Sequence, residues 1–301
     1  MDIINDICTG KKEIINCIKK HGSVREHNYW FFYNQQNSYA KIFFFKFKDG
    51  GIVSIRYKSG IWELIGGVLA PEKKRLELFN DFLDYVLLTK KDKKVFVFVP
   101  EKFWNGINNM LKESDKYRIT KAPIIYYNPV FNMKKWDKEL KGKEWKKLRN
   151  IKNKFLKSYN VEFIPSKEIK KEKLRDVVLK WRKSRTNMEK TYYTEMYLNF
   201  IKNDFEETDM ARSVVVNNIP SGITAGWKIP NSNNYYSAIG LYNCKYPGLG
   251  EVANIDDLTQ IKKKGYEYAD FGDSTESLLR FKKKFGPESF YRTYWFHIVR
   301  K

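Results

Sequence analysis

The chain is poor in the residues that build metal sites and disulfide frameworks. Its 301 residues include only three histidines and three cysteines. The cysteines are odd in number and show no CxxC spacing, which favours a reducing compartment. The histidines are too scattered to form a ligand pattern such as HExxH. We therefore expect no metal site and no tightly bound cofactor.

Long apolar runs are also missing. No stretch approaches the roughly 20 apolar residues that span a bilayer, and the first residues lack the apolar core of a signal peptide. Residues 42–47 form an apolar run that is short, is interrupted by Lys46 and is typical of a strand. These absences predict a cytoplasmic protein, with peripheral contact to an anionic membrane as a further expectation.

Acidic residues are few relative to basic ones. The sequence contains 57 Lys and Arg against 35 Asp and Glu, for a net charge of +22. An excess of this size favours a polyanionic partner such as RNA, DNA, a nucleotide or an anionic membrane. The alternative is a set of solvated lysine faces. Hydrophobic residues make up 42%, which is enough for a packed core, and the length suits two domains.

The order of predicted elements is similar in the two halves of the chain. Each half gives a helix, an antiparallel meander, a strand, a helix, a strand, a helix and a strand. In the first half, residues 29–33 are predicted to open the meander as a strand, and the Asp49-Gly50-Gly51 turn predicts a hairpin. This is the element order of the GCN5-related N-acetyltransferase (GNAT) fold.

The predicted fold class is therefore α+β, with two tandem GNAT-like domains whose mixed, mostly antiparallel sheets are flanked by helices. We expect an N-terminal domain over residues 1–133, a basic connector helix over residues 134–160, and a C-terminal catalytic domain over residues 161–301.

The connector is the most basic segment. Residues 134–157 hold eleven Lys or Arg and three acids. Trp145, Leu148 and Phe155 follow helical spacing and predict an apolar stripe that packs on the protein. Arg149 and Asn153 flank that stripe and are candidates for substrate or phosphate binding. The candidates for RNA contact point away from it: Lys143, Lys147, Lys154 and Lys157.

A glycine-containing loop, Lys245-Tyr246-Pro247-Gly248-Leu249-Gly250, lies between a predicted strand and a predicted helix. GNAT enzymes place a Gly-x-Gly loop at this point, where backbone N–H groups hold the pyrophosphate of coenzyme A. Lys245, Gly248 and Gly250 are therefore candidate phosphate-binding residues. An ordinary turn is the alternative interpretation.

The C-terminal segment predicts a strand, the turn Gly272-Asp273-Ser274, a basic helix and a final strand. Consecutive helical residues step by about 100°, so Lys282 to Lys284 cannot share one face. We expect Lys282 to point inward, where it would neutralise a phosphate or a developing oxyanion. Lys283 and Lys284 are candidate RNA contacts, Gly272 a candidate substrate contact, and Asp273 is expected to cap the helix.

Two further pairs of residues are candidates for phosphate binding and for proton transfer. Arg182 and Arg185 are three residues apart on a predicted helix, so together they could clamp a phosphate or pair with acids. Asp270 and Glu251 are the candidates for proton transfer.

Three segments resemble the phosphatidylglycerol lysyltransferase C-terminal-domain family, the catalytic part of the multiple peptide resistance factors. They are Tyr127-Asn128-Pro129 followed by Trp136, Gly142-Lys143, Lys147-Leu148-Arg149-Asn150 and Asn153-Lys154; the Gly265 to Gly272 strand and turn; and Phe281-Lys282 with Lys284-Phe285-Gly286-Pro287. The resemblance extends over about residues 25–300 and includes the related Fem-type aminoacyltransferases.

The resemblance implies an aminoacyltransferase that moves an aminoacyl group from aminoacyl-tRNA to a lipid, peptide or small amine or hydroxyl acceptor. Lys282 and Arg149 would stabilise charge or hold a phosphate, and Asp270 or Glu251 would move the proton. The flippase part of the resistance factors is not in this sequence, which keeps a soluble acceptor open beside a lipid. The alternatives are an acyltransferase that uses a coenzyme A thioester and a non-catalytic RNA-binding protein.

Overall fold

The computed structural model describes residues 1–184 and 187–301, with the side chains of residues 187–192 left out of the description. The strands are β1 (Asp2–Ile4), β2 (Ala40–Phe47), β3 (Gly50–Tyr57), β4 (Ile61–Ile65), β5 (Lys94–Pro100), β6 (Tyr117–Ile119), β7 (Ile124–Asn132), β8 (Val161–Pro165), β9 (Met210–Val216), β10 (Ile219–Lys228), β11 (Asn234–Tyr242), β12 (Tyr268–Asp270) and β13 (Ser289–Arg300). The helices are α1 (Lys11–His21), α2 (Tyr29–Tyr33), α3 (Arg75–Leu83), α4 (Glu101–Glu113), α5 (Lys146–Ser158), α6 (Lys171–Lys183), α7 (Asn187–Lys202), α8 (Leu249–Lys263) and α9 (Glu276–Lys283).

Contacts divide the chain into two compact units. The first holds residues 1–128, 229–232 and 291–301, and the second holds residues 129–228 and 233–290. The predicted boundaries at residues 133 and 160 differ from those of these units at several points. Most of the final strand belongs to the first unit, and the connector belongs to the second, because Leu148 and Phe155 are buried in its cores.

The first unit is built on a mostly antiparallel sheet. Strands β1 to β4 pair antiparallel in chain order, β4 and β5 pair parallel, and β13 pairs antiparallel with both β5 and β6. A core of Phe45, Trp62, Phe79 and Phe82 fills one face under α3 and α4. The parallel pair requires the long crossover that α3 supplies.

The second unit has the same pattern. Strands β8, β9, β10 and β11 pair antiparallel in order, β11 and β12 pair parallel, and β12 pairs antiparallel with residues 130–132 of β7. Helix α8 connects the two parallel strands. Each unit therefore contains one parallel pair joined through a helix, as the predicted order of elements requires.

A buried arginine organises one part of the first unit. The Arg25 side chain is 1% exposed and its Nε donates to Glu26 at 2.6 Å. Its Nη1 donates to Asn128 Oδ1 at 2.5 Å and to the Tyr291 hydroxyl at 2.9 Å. Asn128 in turn donates to Thr293 Oγ1 at 3.0 Å. The buried charge of Arg25 is tolerated because it is paired and hydrogen-bonded. Asn128 is one of its partners and is therefore a core hydrogen-bonding residue.

The predicted strand at residues 29–33 is wrong. These residues form helix α2, whose first turn is capped by Asn28 because its side chain accepts from the Phe31 N–H at 2.9 Å. Five consecutive aromatic residues show neither helical nor strand periodicity. The aromatic run therefore could not reveal its helical winding.

The connector helix is shorter than predicted. It covers Lys146–Ser158, and residues 134–145 form turns instead. Asp137 accepts from the N–H groups of Glu139 and Lys141, at 3.0 and 2.7 Å. Gly142 has a φ of +103°, which a helix does not permit. The local bonds of Asp137 replace the helical ladder before Lys146.

Candidate functional site

The glycine loop of the second unit leads directly into α8. Gly248 has a φ of +96° and occupies the position before the first helical residue, Leu249. The Leu249 N–H donates to the Tyr246 carbonyl at 3.1 Å. A left-handed conformation is costly for any residue with a Cβ. The loop therefore turns the chain from β11 into α8 at the place expected from the sequence.

Both glycines also permit close packing. A Cβ at Gly248 would lie 3.2 Å from Ile151 and 3.3 Å from Phe155 of α5. A Cβ at Gly250 would lie 3.3 Å from Phe281 of α9. Two neighbouring helices thus pack on the start of α8, and this close packing explains why positions 248 and 250 hold glycine. Lys245 of the same loop is exposed.

Lys282 closes the turn that follows β12. It is buried, and its Nζ donates to the carbonyls of Gly272 and Asp273, both at 3.0 Å, and to that of Phe271. The inward direction expected for Lys282 is therefore observed. Its ammonium holds three carbonyls of one turn, so the residue positions the turn; a role on substrate stays a prediction.

Asp270 belongs to the same turn. The Asp270 side chain is buried and accepts from the Gly272 N–H at 2.7 Å. Gly272 has a φ of +70° and packs against the ring of Tyr236. The cap expected at Asp273 is not observed, because α9 begins after Thr275. The turn is thus held by the Asp270 carboxylate at its start and by the Lys282 ammonium from α9.

Glu251 and Lys284 form an ion pair at the start of α8. The distance between Lys284 Nζ and Glu251 Oε1 is 2.6 Å, and the two side chains are 31% and 12% exposed. Lys284 Nζ also lies 5.2 Å from the centroid of the Phe281 ring. The Glu251 carboxylate proposed for proton transfer is therefore paired, and the ammonium expected to contact RNA is directed onto it.

The polar residues predicted as contacts in α5 and in the segment just before it divide into two groups. Arg149 donates from Nη1 to the carbonyls of Leu140 and Gly142, the latter at 3.2 Å, and so holds the turn before the helix. The other predicted residues are exposed, which leaves the charges of the four lysines among them at the surface. They are Lys143, Lys147, Asn153, Lys154 and Lys157.

Three predicted residues remain. Arg182 is exposed in the last turn of α6, whereas Arg185 lies outside the described residues. Lys283 is exposed, and its Nζ is 5.7 Å from the centroid of the Phe290 ring. The structure thus brings Gly248, Gly250, Glu251, Lys282 and Gly272 together around the start of α8, the end of α9 and the turn after β12.

Asp257 is a buried acid that was not among the residues predicted from the sequence. It is 1% exposed on α8, and the Ser237 hydroxyl of β11 donates to it at 2.6 Å. Burial raises the pKa of Asp257 to about 7, and neighbouring Asp256 adds to the effect. Asp256 itself is paired with Arg212 at 2.7 Å. The sequence signal for a buried acid is the position of Asp257 between Ile255 and Leu258, in a helix rich in apolar residues.

Among the residues that the structure describes, no three His, Cys, Asp or Glu side chains lie together as a metal site would need. Over the same part of the chain, no helix combines the length and apolarity required to cross a bilayer.

Comparison with known families decides the class of protein. The sequence model of the family described as phosphatidylglycerol lysyltransferase, C-terminal, matches residues 18–297. The chain belongs to this family. It is accordingly an acyltransferase, as the resemblance implied. No protein of curated function matches the chain in sequence.

Solved structures agree on the fold of this lysyltransferase-family protein. L-PGS from Bacillus licheniformis is 15% identical over 96% of this chain and 91% of its own, with a TM-score of 0.67. FemX is 11% identical over 98% and 97%, with a TM-score of 0.61. A tandem GNAT protein from the clavulanic acid biosynthesis pathway is 8% identical over 99% and 98%, with a TM-score of 0.59. The predicted tandem GNAT-like class is confirmed.

Proposed function

We propose that the protein is an aminoacyl-tRNA-dependent aminoacyltransferase that acts on a lipid, peptide or small-molecule acceptor. A hydroxyl or amine of the acceptor attacks the ester carbonyl of the aminoacyl group. A new C–O or C–N bond forms, the ester bond to the tRNA ribose breaks, and the acceptor proton passes to the ribose oxygen. The reaction is not a redox process and needs no metal or bound cofactor.

The observation that carries this proposal is the family match over residues 18–297. A lysyl group and phosphatidylglycerol are therefore the first donor and acceptor to test. We place the reaction in the second unit, in a cytoplasmic, membrane-peripheral protein. The placement rests on the buried charges around the start of α8 and on the basic surface of α5, both of which belong to that unit.

The turn after β12 is the part of the site that we assign to positioning. Lys282 holds its three carbonyls, and Asp270 holds the Gly272 N–H. Such bonding keeps a loop in one geometry, which acyl transfer needs when it aligns two substrates. Glu251 is the carboxylate that we assign to proton transfer. It is paired with Lys284, so an entering substrate would have to displace Lys284 from it.

The exposed lysines of α5 and of the segment just before it are assigned to the RNA. Lys143, Lys147, Lys154 and Lys157 add four charges to one short segment. Contacts between lysine and phosphate release counterions, so that binding weakens as salt rises. We therefore expect tRNA affinity to fall steeply with salt, and less steeply when Lys147 and Lys154 are both changed to Gln.

A second candidate is acyl transfer from coenzyme A, which the position of the Gly248 loop before α8 favours. Close packing alone accounts for the glycines at positions 248 and 250, without a bound phosphate. We therefore rank this function second.

One experiment separates the two donors. The purified protein is incubated with labelled lysyl-tRNA, or with labelled acetyl-coenzyme A, and with phosphatidylglycerol vesicles, a peptide amine or a small polyamine. The proposal predicts label in an acceptor from lysyl-tRNA alone, and its loss after RNase treatment. Transfer from acetyl-coenzyme A that resists RNase would establish the second candidate. No transfer from a mixed aminoacyl-tRNA pool to any acceptor would overturn the proposal.

A further inference from the structure

The first unit contains a cavity that the proposed transfer reaction does not use. Its volume is about 370 Å³, within the range of about 300–1,000 Å³ that small-molecule sites occupy. Three aromatic rings and three polar side chains line it. They are Phe43, Trp62 and Tyr85, and Asn5, Arg56 and Lys90.

One wall depends on unusual helix winding. After α3, residues Asp84–Thr89 wind as a π-helix, and the Lys90 N–H donates to the Tyr85 carbonyl at 2.8 Å. This i→i+5 bond brings the two residues onto one side, with Lys90 Nζ 5.6 Å from the centroid of the Tyr85 ring. π-Turns are rare and occur frequently at functional sites. The winding thus places an ammonium beside an aromatic wall of the cavity.

The positive charge of the cavity exceeds its negative charge. Arg56 donates from Nε and Nη2 to the two oxygens of Asp92, both at 2.9 Å, and Trp62 Nε1 donates to Asp92 at 2.7 Å. These bonds hold the pKa of Asp92 below its ordinary value. Both Asp92 oxygens are therefore engaged, and the carboxylate serves to orient the guanidinium.

Two cationic donors remain for a ligand. Within residues 1–184 and 187–301, no group accepts a hydrogen bond from Arg56 Nη1 or from Lys90 Nζ. Arg56 also lies over the Trp62 ring, with 5.7 Å between its Cζ and the ring centroid. The cavity thus combines aromatic walls with the Lys90 ammonium and with Nη1 of the ion-paired Arg56.

A flat ring that carries an anionic group fits these features. Aromatic side chains stack on nucleobases, and Arg and Lys bind phosphate. We propose that this cavity binds a nucleotide, with its base against Phe43 and Tyr85 and its phosphate at Arg56 Nη1 and Lys90. The nucleotide is either free in solution or an unpaired residue of an RNA.

The test uses isothermal titration calorimetry of the full chain with AMP, adenosine, ribose 5-phosphate and a hexamer of adenylate. The variants are Lys90→Gln, which changes an exposed side chain, and Tyr85→Leu, which keeps the apolar contact with Phe45. Lys112→Gln is the matched control, because Lys112 is an exposed lysine in the last turn of α4 and does not line the cavity. Circular dichroism verifies that each variant folds.

We expect AMP to bind the unchanged protein more tightly than adenosine or ribose 5-phosphate does. Tyr85→Leu and Lys90→Gln should each weaken AMP binding about tenfold, and Lys112→Gln should leave it unchanged. A hexamer that binds more tightly than AMP and loses affinity in the same two variants identifies RNA as the source. AMP binding without hexamer binding identifies a free nucleotide.

Three results would overturn the proposal. They are no binding of AMP or hexamer at millimolar concentration, equal binding by the folded Tyr85→Leu and Lys90→Gln variants, and ribose 5-phosphate binding as tight as that of AMP. The measurement involves no transfer step. Its outcome is therefore separable from that of the transfer assay.

Discussion

Lys282 Nζ lies 3.0 Å from the carbonyl oxygen of Gly272. The two residues are ten positions apart, and the same ammonium also holds Phe271 and Asp273. A buried lysine whose protons go to backbone carbonyls acts as a clamp on the turn. This relationship connects helix α9 to the end of β12 and determines the shape of the surface between them.

Replacing Lys282 by Met should strongly destabilise the protein. The variant removes the ammonium that donates to three carbonyls, of which the Gly272 carbonyl also accepts from the Ser274 hydroxyl at 3.3 Å. We expect a loss of about 2 kcal/mol or more, at roughly 1–3 kcal/mol for each carbonyl that loses its donor. Lys283→Met is the matched control because Lys283 is exposed, and it should change stability by less than about 0.5 kcal/mol. Denaturant unfolding measures both. Equal midpoints for the two variants would show that Lys282 is not a clamp.

The Glu251–Lys284 pair should contribute measurably to stability. Its atoms are 2.6 Å apart and largely buried, so that Lys284→Met leaves the carboxylate of Glu251 unpaired. We expect a loss of about 1–3 kcal/mol, reduced by the partial exposure of Lys284.

The matched control for this pair is the exposed Arg280–Glu276 pair of the adjacent helix, whose atoms are 3.9 Å apart. Double-mutant cycles should give a coupling free energy for Glu251–Lys284 and almost none for the control. Similar coupling in the two cycles would contradict the assignment.

Asp257 should make stability depend on pH. Its pKa is about 7 in the folded protein and 3.8 without burial, so the folded state retains a proton that the unfolded state loses. The associated stability is fully present below pH 4 and is lost as pH rises to 7. The slope is at most about 1.4 kcal/mol per pH unit.

Asp257→Asn should remove that slope, because the amide keeps a polar partner for Ser237 and cannot ionise. Urea unfolding between pH 4 and pH 8 measures it. Asp256→Asn is the control, since it loses the ion pair with Arg212 but leaves the buried acid in place. It should be less stable than the unchanged protein and retain the slope. An unchanged slope in Asp257→Asn would refute this prediction.

Gly248→Ala should cost more than an equivalent change at the other end of α8. Gly248 has a φ of +96°, and a Cβ there meets Ile151 and Phe155. Gly265 has a φ of +80° but nothing within 4 Å of its Cβ position. Gly265→Ala therefore measures the conformational cost alone, about 1–2 kcal/mol. A larger loss at Gly248 in thermal unfolding indicates tight packing of α5 on the loop, and equal losses would contradict it.

Several elements were predictable because their signals are local. The helix predicted to open the first half is α1, which covers Lys11–His21. The helix predicted to follow the glycine loop is α8, which starts at Leu249, directly after the left-handed Gly248. Amphipathic periodicity and a glycine at the boundary depend on neighbours in the chain, so the sequence alone reveals them.

Elements that depend on distant partners were missed. Strand β1 has three residues and pairs with residues 44–46 of β2, and strand β8 pairs with residues 212–216 of β9. The strand propensity of such short segments is weak, and the ladder that stabilises them forms only when the sheet assembles. The π-turn from Tyr85 to Lys90 had no sequence signal either.

The sequence alone is sufficient to predict a tandem GNAT-like fold with an excess of positive charge, because helix periods, turn residues and charge are properties of the sequence itself. The acyltransferase activity was implied by the resemblance of three segments to a known family. The sequence does not show which charges are already engaged. Lys282 is held by three carbonyls, Lys284 by Glu251 and Arg149 by the carbonyls of a turn. Those partners lie seven to 33 residues away along the chain. Only the folded backbone brings them within hydrogen-bonding distance.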